Sequence, residues 1–242
     1  MVMSLLVLTL PLFFPVTDGY LLFTSNASSE PAFSSNFENV LFEDDFEHGS
    51  LEGWEFMDGG AYSIVEENGN HVLKGNGWKF TRTGESNWIV ISLEVSVKIL
   101  RGNVQISFRY DPKLWLEGRY ALGMQGGKLD LKKAWQGEWT TLAEANLPLE
   151  TRTWYRVKIV VNGPDICVYL NGNLKIHASE ESLILHGGIS LEAEEAYFDD
   201  VKVTGSISTT GSNYAGTGAP VYVPVDMLHQ IFFLPHWWRL GM

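Results

Sequence analysis

The feature that most constrains the fold is a strict two-residue alternation interrupted by turn residues, clearest in WYRVKIVVNGPDICVYLNG, residues 154–172. Apolar side chains recur at every second position from Tyr155 to Val161, and successive side chains of a strand point to opposite faces. Gly163-Pro164 then breaks the run, and Asn171-Gly172 ends a second one with a typical hairpin signal. The pattern predicts consecutive strands of an antiparallel sheet.

Short extended runs of this kind continue from Asn39 to Thr204, punctuated by Gly and Asn, with almost no segment of helical period. Within residues 89–99 the odd-numbered positions are predicted to form one apolar face, and in residues 104–110 Arg109 is predicted to project from the outer side of its sheet. Strands this closely spaced, without crossover helices, predict an all-β fold: an antiparallel two-sheet β-sandwich.

The two ends of the chain differ in composition from this middle part. The first residues are apolar over a length that suits a secretory signal better than a full span, although no Lys or Arg precedes the run. We therefore predict a secreted or cell-surface protein, with an uncleaved membrane anchor as the alternative. The predicted segments are a signal peptide or anchor (1–19), a polar tether (20–38), the sandwich domain (39–205), a Ser/Thr/Gly linker (206–220) and an aromatic-rich C-terminal segment (221–242). That last segment docks on the domain, lies at a membrane or envelope surface, or begins a longer region.

Charge and cysteine content exclude several classes of function. The formal net charge is −12 and the basic residues are scattered, which argues against a nucleic-acid partner. The single cysteine, Cys167, excludes an intramolecular disulfide and a cysteine-based metal cluster. No Gly-x-Ser-x-Gly elbow, phosphate loop or His-Glu-x-x-His motif occurs, so the sequence favours binding over catalysis without excluding an enzyme.

Four segments in order resemble the concanavalin A-like superfamily, of the laminin G-like and carbohydrate-binding-module kind: LFEDDFEHGSLEGWEF (41–56), GNVQISFRYDP (102–112), WYRVKIVVNGPDICVYLNG (154–172) and GGISLEAEEAYFDDVKVTG (187–205). The resemblance implies a jelly-roll sandwich with one concave and one convex sheet. It does not select a function, because this architecture serves lectins, binding modules, glucanases, lyases and adhesive spacers. We expect a non-catalytic extracellular protein that binds a neutral or weakly charged glycan on its concave face. The alternatives are a cell-surface structural, adhesion or assembly subunit and, third, a glycoside hydrolase or polysaccharide lyase.

Aromatic side chains near predicted strand ends are the candidate sugar-binding residues, since pyranose rings stack on aromatic faces while polar groups bind the hydroxyls. Burial in the sandwich is the alternative for each aromatic, and a solvated strand position is the alternative for the arginine. Trp54, Trp88 and Trp154 are assigned to the core. The ligand-binding candidates are Arg109, Trp115, Tyr120, Trp135 and Trp139.

The resemblance also implies a structural calcium ion (Ca2+) near the first and last strands. Glu43, Asp45 and Asp199 are the candidate ligands, because a hard cation with oxygen ligands would relieve the repulsion of crowded carboxylates. Alternation sends Asp44 and Asp45 to opposite faces, so some of these carboxylates are expected to face solvent instead.

No catalytic carboxylate pair is predicted. Retaining glucanases of this fold use Glu-x-Asp-x-x-Glu on one strand. The most similar segment, Leu191-Glu192-Ala193-Glu194-Glu195, lacks the central Asp and is predicted to be a solvated acidic loop.

Overall fold

The computed structural model describes residues 39–56, 62–110 and 118–208. The predicted leader, tether and C-terminal segment, most of the predicted linker, and Trp115 lie outside the described residues. Within the described ranges there is no helix that is both long and apolar enough to cross a membrane.

Every regular element in the described part of the chain is a strand. In chain order the strands are β1 (Asn39–Asp44), β2 (Glu55–Phe56), β3 (Tyr62–Glu67), β4 (Asn70–Thr83), β5 (Trp88–Tyr110), β6 (Arg119–Gln125), β7 (Lys128–Trp135), β8 (Glu138–Asn146), β9 (Trp154–Asn162), β10 (Asp165–Leu170), β11 (Asn173–Ser179) and β12 (Gly188–Ile207).

The strands pair antiparallel in one hydrogen-bonded sheet that folds into two layers. The front layer has the order β8-β7-β6-β5-β12-β4-β2. Residues 104–110 of β5 and 188–193 of β12 are the parts of these two strands that belong to it. The back layer has the order β11-β10-β9-β5-β12 and uses the other halves of β5 and β12. In this layer β12 also pairs with β1 and with β4, and β3 pairs with β4. The predicted two-layer antiparallel sandwich is therefore confirmed.

The three long strands pass from one layer to the other at the same level. The register of β12 shifts between Ala193 and Glu195 against both β5 and β4, which leaves Glu194 as an extra residue. Opposite this point β5 has Gly102 and β4 has Trp78, both with positive φ. A β-carbon on Gly102 would lie 1.8 Å from the Glu194 carboxylate, so only glycine fits. Bulges of this kind bend strands, and here they bend the sheet over its own core.

The core lies between the layers and contains apolar side chains from all the long strands. Burying such side chains is the main favourable term in folding, about 25 cal/mol per Å² of apolar surface. The largest fully buried apolar side chains include Phe108, Phe198, Leu73, Leu93, Leu122 and Leu131.

Two core predictions are wrong, for reasons of strand phase. In β5 the odd positions from Leu93 to Ile99 face the core. Before Leu93, Val90 is buried while Ile89 and Ile91 are half-buried, because the register against β12 shifts between Val90 and Ser92. Trp154 is 36% exposed, since the buried residues of β9 begin at its neighbour Tyr155. Trp54 and Trp88 are buried as predicted.

Candidate functional site

The outer face of the front layer, here called the front face, carries a continuous row of side chains across six strands. Pairing places these residues side by side from β4 to β8: Phe80, Glu192, Gln105, Gly123, Asp130 and Glu144. Neighbouring strands lie about 4.8 Å apart, so residues on the same face of adjacent strands are close enough to interact. The sequence predicts a glycan site on the concave face of one sheet, and the front face is the outer surface of a layer with clustered polar side chains.

Glu192 forms the centre of a polar cluster on this face. Its Oε2 accepts a hydrogen bond from Gln105 Nε2 at 3.1 Å. Its Oε1 accepts from Ser190 Oγ at 3.2 Å, from Ser107 Oγ at 3.4 Å and from Arg119 Nη1 at 3.3 Å. The side chain points away from the core, yet the residue is only 5% exposed. The cluster is therefore largely shielded from solvent, and polar groups interact more strongly there than in bulk water.

Burial raises the pKa of the Glu192 carboxyl above its ordinary value of 4.5. Arg119 and the hydrogen bonds from Gln105, Ser190 and Ser107 act in the opposite direction, but desolvation is the largest effect. Glu192 is therefore a carboxyl that takes up a proton more readily than an exposed glutamate.

Arg119 is enclosed by three aromatic rings. Its guanidinium carbon lies 5.1 Å from the ring centroid of Trp139, 5.2 Å from that of Phe80 and 5.4 Å from that of Tyr110. Ala134 stands between Arg119 and Trp139 in the strand register, and its small side chain lets the indole reach over β7. A cation against ring faces is held in place without losing its charge.

Charged side chains on the front face occur as ion pairs. Arg82 Nε donates to Glu55 Oε2 at 2.8 Å, and Arg119 pairs with Glu192. Lys132 Nζ lies 2.9 Å from Asp130 Oδ2, and Lys128 Nζ lies 2.7 Å from Glu144 Oε1. These four cations and four anions cancel, so this group of side chains has no net charge although the chain as a whole is strongly acidic.

Arg109 faces the interior, so its predicted outward orientation is wrong. The residue has a φ of 50° and sits at a register shift between Gly188 and Ile189, which makes it the extra residue of a β-bulge. Its Nη1 donates to Ile184 O at 2.9 Å, and its Nε and Nη2 donate to Val90 O at 3.2 and 3.0 Å. Burial lowers the pKa of Arg109 to about 10. Arg109 thus joins the two layers instead of facing a ligand.

The aromatic candidates separate into buried and exposed residues. Tyr120 is fully buried, stacks on Phe108 at 5.2 Å and accepts a hydrogen bond from Ile184 N at 3.2 Å. Trp135 packs against the core. Burial is therefore observed for Tyr120, and Trp135 is partly buried, whereas Trp139 is 40% exposed beside Arg119 on the front face. Ligand binding by Trp139 stays a prediction.

Sequence reasoning missed most of the front-face cluster. Glu192 was assigned to a solvated loop, but residues 188–207 form one strand and Glu192 is buried. The signal was present in β12, where Ser190 and Glu192 alternate with the apolar Ile189, Leu191 and Ala193. Glu194 and Glu195, which follow directly, interrupt this alternation and favour the interpretation as an acidic loop.

The candidate metal ligands are only partly brought together. β1 pairs with β12 as predicted, but Glu43 Oε1 lies 3.2 Å from Lys202 Nζ, and Asp199 accepts hydrogen bonds from Asn70 Nδ2 at 2.6 Å and from Asp200 N at 2.8 Å. Burial raises the pKa of Asp199. A different group, Asp44, Asp45 and His48, has ligand atoms within 4.8 Å of one another and could hold a metal ion.

Asp44 already has structural partners. Its Oδ1 accepts from Phe46 N at 2.8 Å and its Oδ2 from Trp54 Nε1 at 2.7 Å. Asp45 is exposed, as the predicted alternation requires. The group offers two hard carboxylate ligands and one imidazole, and Ca2+ prefers oxygen ligands.

The two-layer jelly roll with a polar outer face defines a sandwich protein of the concanavalin A-like class, as predicted. The sequence profile of the 3-keto-alpha-glucoside-1,2-lyase-like domain matches residues 39–204, and the chain belongs to this family. No curated protein matches the chain in sequence.

Solved structures share the fold at low sequence identity. Domain 4 of AbnA, a GH43 extracellular arabinanase from Geobacillus stearothermophilus solved with arabinotriose, aligns with a TM-score of 0.55 and 14% identity, over 71% of this chain and 95% of that domain. The laminarinase catalytic domain of Thermotoga maritima MSB8 aligns with a TM-score of 0.52 and 12% identity, over 71% and 99%. A Bacillus subtilis protein of unknown function with a galectin-like fold aligns with a TM-score of 0.51 and 13% identity, over 70% and 98%. Identities this low show the fold alone.

Proposed function

We propose that the protein binds a neutral carbohydrate on the front face, with Trp139 as the stacking surface and the Glu192 cluster as the hydroxyl-binding floor. The observation that carries the proposal is the combination of an exposed indole with a largely shielded network of Glu192, Gln105 and Arg119. Sugar rings have apolar faces and hydroxyl edges, so a site that offers both ring faces and polar groups suits them.

The charge arrangement favours a neutral ligand. Because the eight charged side chains described above on the front face are paired, a charged sugar would have to compete with an existing partner for each of these ionic contacts. A neutral sugar only adds hydrogen bonds to groups that are already held in place. The family description names an alpha-glucoside carrying a 3-keto group, so glucosides and their 3-keto derivatives are the first ligands to test.

The experiment is a binding screen of the purified chain against immobilised neutral and acidic glycans, followed by calorimetry with each positive sugar. The proposal predicts saturable binding to neutral glycans. Binding confined to acidic glycans, or no binding to any glycan, would refute it.

Glycosidic cleavage at the same face is the second candidate function. The observation in its favour is the raised pKa of Glu192, which makes this carboxyl a possible proton donor beside a bound sugar. Incubation with the sugars that bind, followed by chromatography of the products, tests this function. A Glu192→Gln variant that still binds but releases no product would support it, while intact sugars after long incubation with the wild-type protein would contradict it.

Export and calcium binding complete the proposal. Secretion or display at the cell surface rests on residues 1–19 and is tested by fractionating cells that express the full chain.

Calcium at Asp44 and Asp45 rests on their adjacent carboxylates, and it predicts a higher unfolding midpoint with Ca2+ than with a chelator. An unchanged midpoint would remove calcium from the account.

A further inference from the structure

Two buried polar atoms in the described part of the chain have no hydrogen-bond partner: Tyr110 Oη and Asp130 Oδ1. Tyr110 is 1% exposed and Asp130 is fully buried. Arg82 and Arg119 lie near the phenol, but neither makes a hydrogen bond of ordinary geometry with its hydroxyl. Burying a polar group without a partner is unfavourable, so each of these atoms calls for a specific explanation.

Both atoms belong to the front face. Tyr110 pairs with Gly188, two residues from Ser190 on the same side of β12, and its ring contacts Arg119. Asp130 pairs with Gly123 in the row that contains Glu192. Both residues with an unpartnered atom therefore border the Glu192 cluster.

Gly123 makes room for the Asp130 carboxylate. A β-carbon on Gly123 would collide with Asp130 Oδ1, so this oxygen lies against the backbone of β6. The other oxygen, Oδ2, is held by Lys132 at 2.9 Å and by Gln125 Nε2 at 3.2 Å. One oxygen is thus fixed by the protein, while the other remains free to accept a hydrogen bond.

We propose that Tyr110 Oη and Asp130 Oδ1 are ligand-binding atoms of the front-face sugar site. Tyr110 donates to a ring or hydroxyl oxygen of the sugar, and Asp130 accepts from a sugar hydroxyl. The inference rests on the proposed function and names two atoms that contact its ligand.

The test uses a length series of neutral gluco-oligosaccharides, from glucose to the α-1,4 and β-1,3 pentasaccharides, titrated by calorimetry. Tyr110→Phe removes only the unpartnered hydroxyl. It is expected to weaken binding of these sugars by about fivefold or more, while the thermal midpoint of the free protein stays the same or rises. Gly123→Ala and Asp130→Asn are expected to weaken binding to a similar or greater degree, because they displace or replace the accepting oxygen.

Two variants of matched chemistry serve as controls. Tyr62 Oη is hydrogen-bonded, at 2.9 Å from Lys79 O and 2.7 Å from Leu191 O, so Tyr62→Phe should lower the midpoint and leave affinity unchanged. Gly126 has open space where a β-carbon would lie, so Gly126→Ala should behave as wild type in binding.

The outcomes separate this inference from the proposed function. If the wild-type protein binds sugars and the Tyr110, Asp130 and Gly123 variants bind them equally well, the inference is wrong and the proposed function stands. If the wild-type protein binds none of the series, both fail.

Discussion

The guanidinium carbon of Arg119 lies 5.1 Å from the ring centroid of Trp139, across a strand whose intervening residue is Ala134. This contact joins an exposed aromatic ring to a buried ion pair, because Arg119 also donates to Glu192 at 3.3 Å. The surface that a sugar would stack on is therefore coupled to the groups that would bind its hydroxyls. A shift of the indole would disturb both.

Replacing Trp139 with alanine should weaken sugar binding by roughly tenfold, since aromatic contacts contribute about 0.5 to 1.5 kcal/mol beyond the area they bury. Stability should change little, because the side chain is substantially exposed. Trp154→Ala is the matched control: Trp154 is similarly exposed but belongs to β9 of the back layer. Calorimetric titration of both variants checks the prediction, and equal losses of affinity would show that Trp139 has no special role.

Replacing Glu192 with glutamine should change how stability depends on pH. The pKa of Glu192 is raised in the folded protein, so the folded state holds this proton more tightly than the unfolded state. The resulting stabilisation is fully present below the ordinary value of 4.5 and is lost as pH rises through the folded-state pKa. Between those two values the wild-type protein should lose stability relative to the variant as pH increases. Urea unfolding from pH 4 to pH 8 measures this difference, and parallel curves for the two proteins would contradict it.

Replacing Arg109 with leucine should destabilise the fold by about 2 to 4 kcal/mol, because the carbonyls of Val90 and Ile184 would lose their buried donor. The exposed Arg156, which lies 3.4 Å from Glu94, provides the control, and Arg156→Leu should cost less than about 1 kcal/mol. Chemical denaturation quantifies both changes. Similar values for the two variants would mean that the bulged arginine does not join the layers.

Replacing Asp44 with alanine should cost about 2 kcal/mol or more in stability, since both carboxylate oxygens accept hydrogen bonds from buried donors. Asp45→Ala removes the neighbouring carboxylate, which is exposed, and should have a small effect in the absence of metal. Thermal unfolding in chelator compares them. A larger loss of stability for the Asp45 variant would contradict the prediction and show that Asp45, not Asp44, has the main structural role.

The strands and the sandwich could be predicted from the sequence because alternation is local: the apolar positions of β9 and β10 reveal their faces without knowledge of the partners. Side-chain direction failed where a bulge changed the phase. Nothing in the composition around Arg109 or Ile91 shows that one extra residue has been inserted, and each insertion reverses the face of the residues on one side of it.

The candidate site was harder to predict because its members meet only through pairing. Arg119 and Asp130 come from the neighbouring strands β6 and β7, but Glu192 comes from β12, much further along the chain. Their approach depends on the small residues Ala134 and Gly123, whose role is visible only once the register is known. Trp139 could be proposed from its type and position, whereas the network beneath it required the fold.

The most direct test of the account is calorimetric titration of the wild-type protein with neutral gluco-oligosaccharides at low and high salt, with Trp139→Ala measured beside it. We predict saturable binding that changes little with salt because the front-face charges are paired, and that weakens in the variant. Absence of binding to every neutral sugar, or binding that the Trp139 variant retains in full, would contradict the claim that the front face is a carbohydrate site.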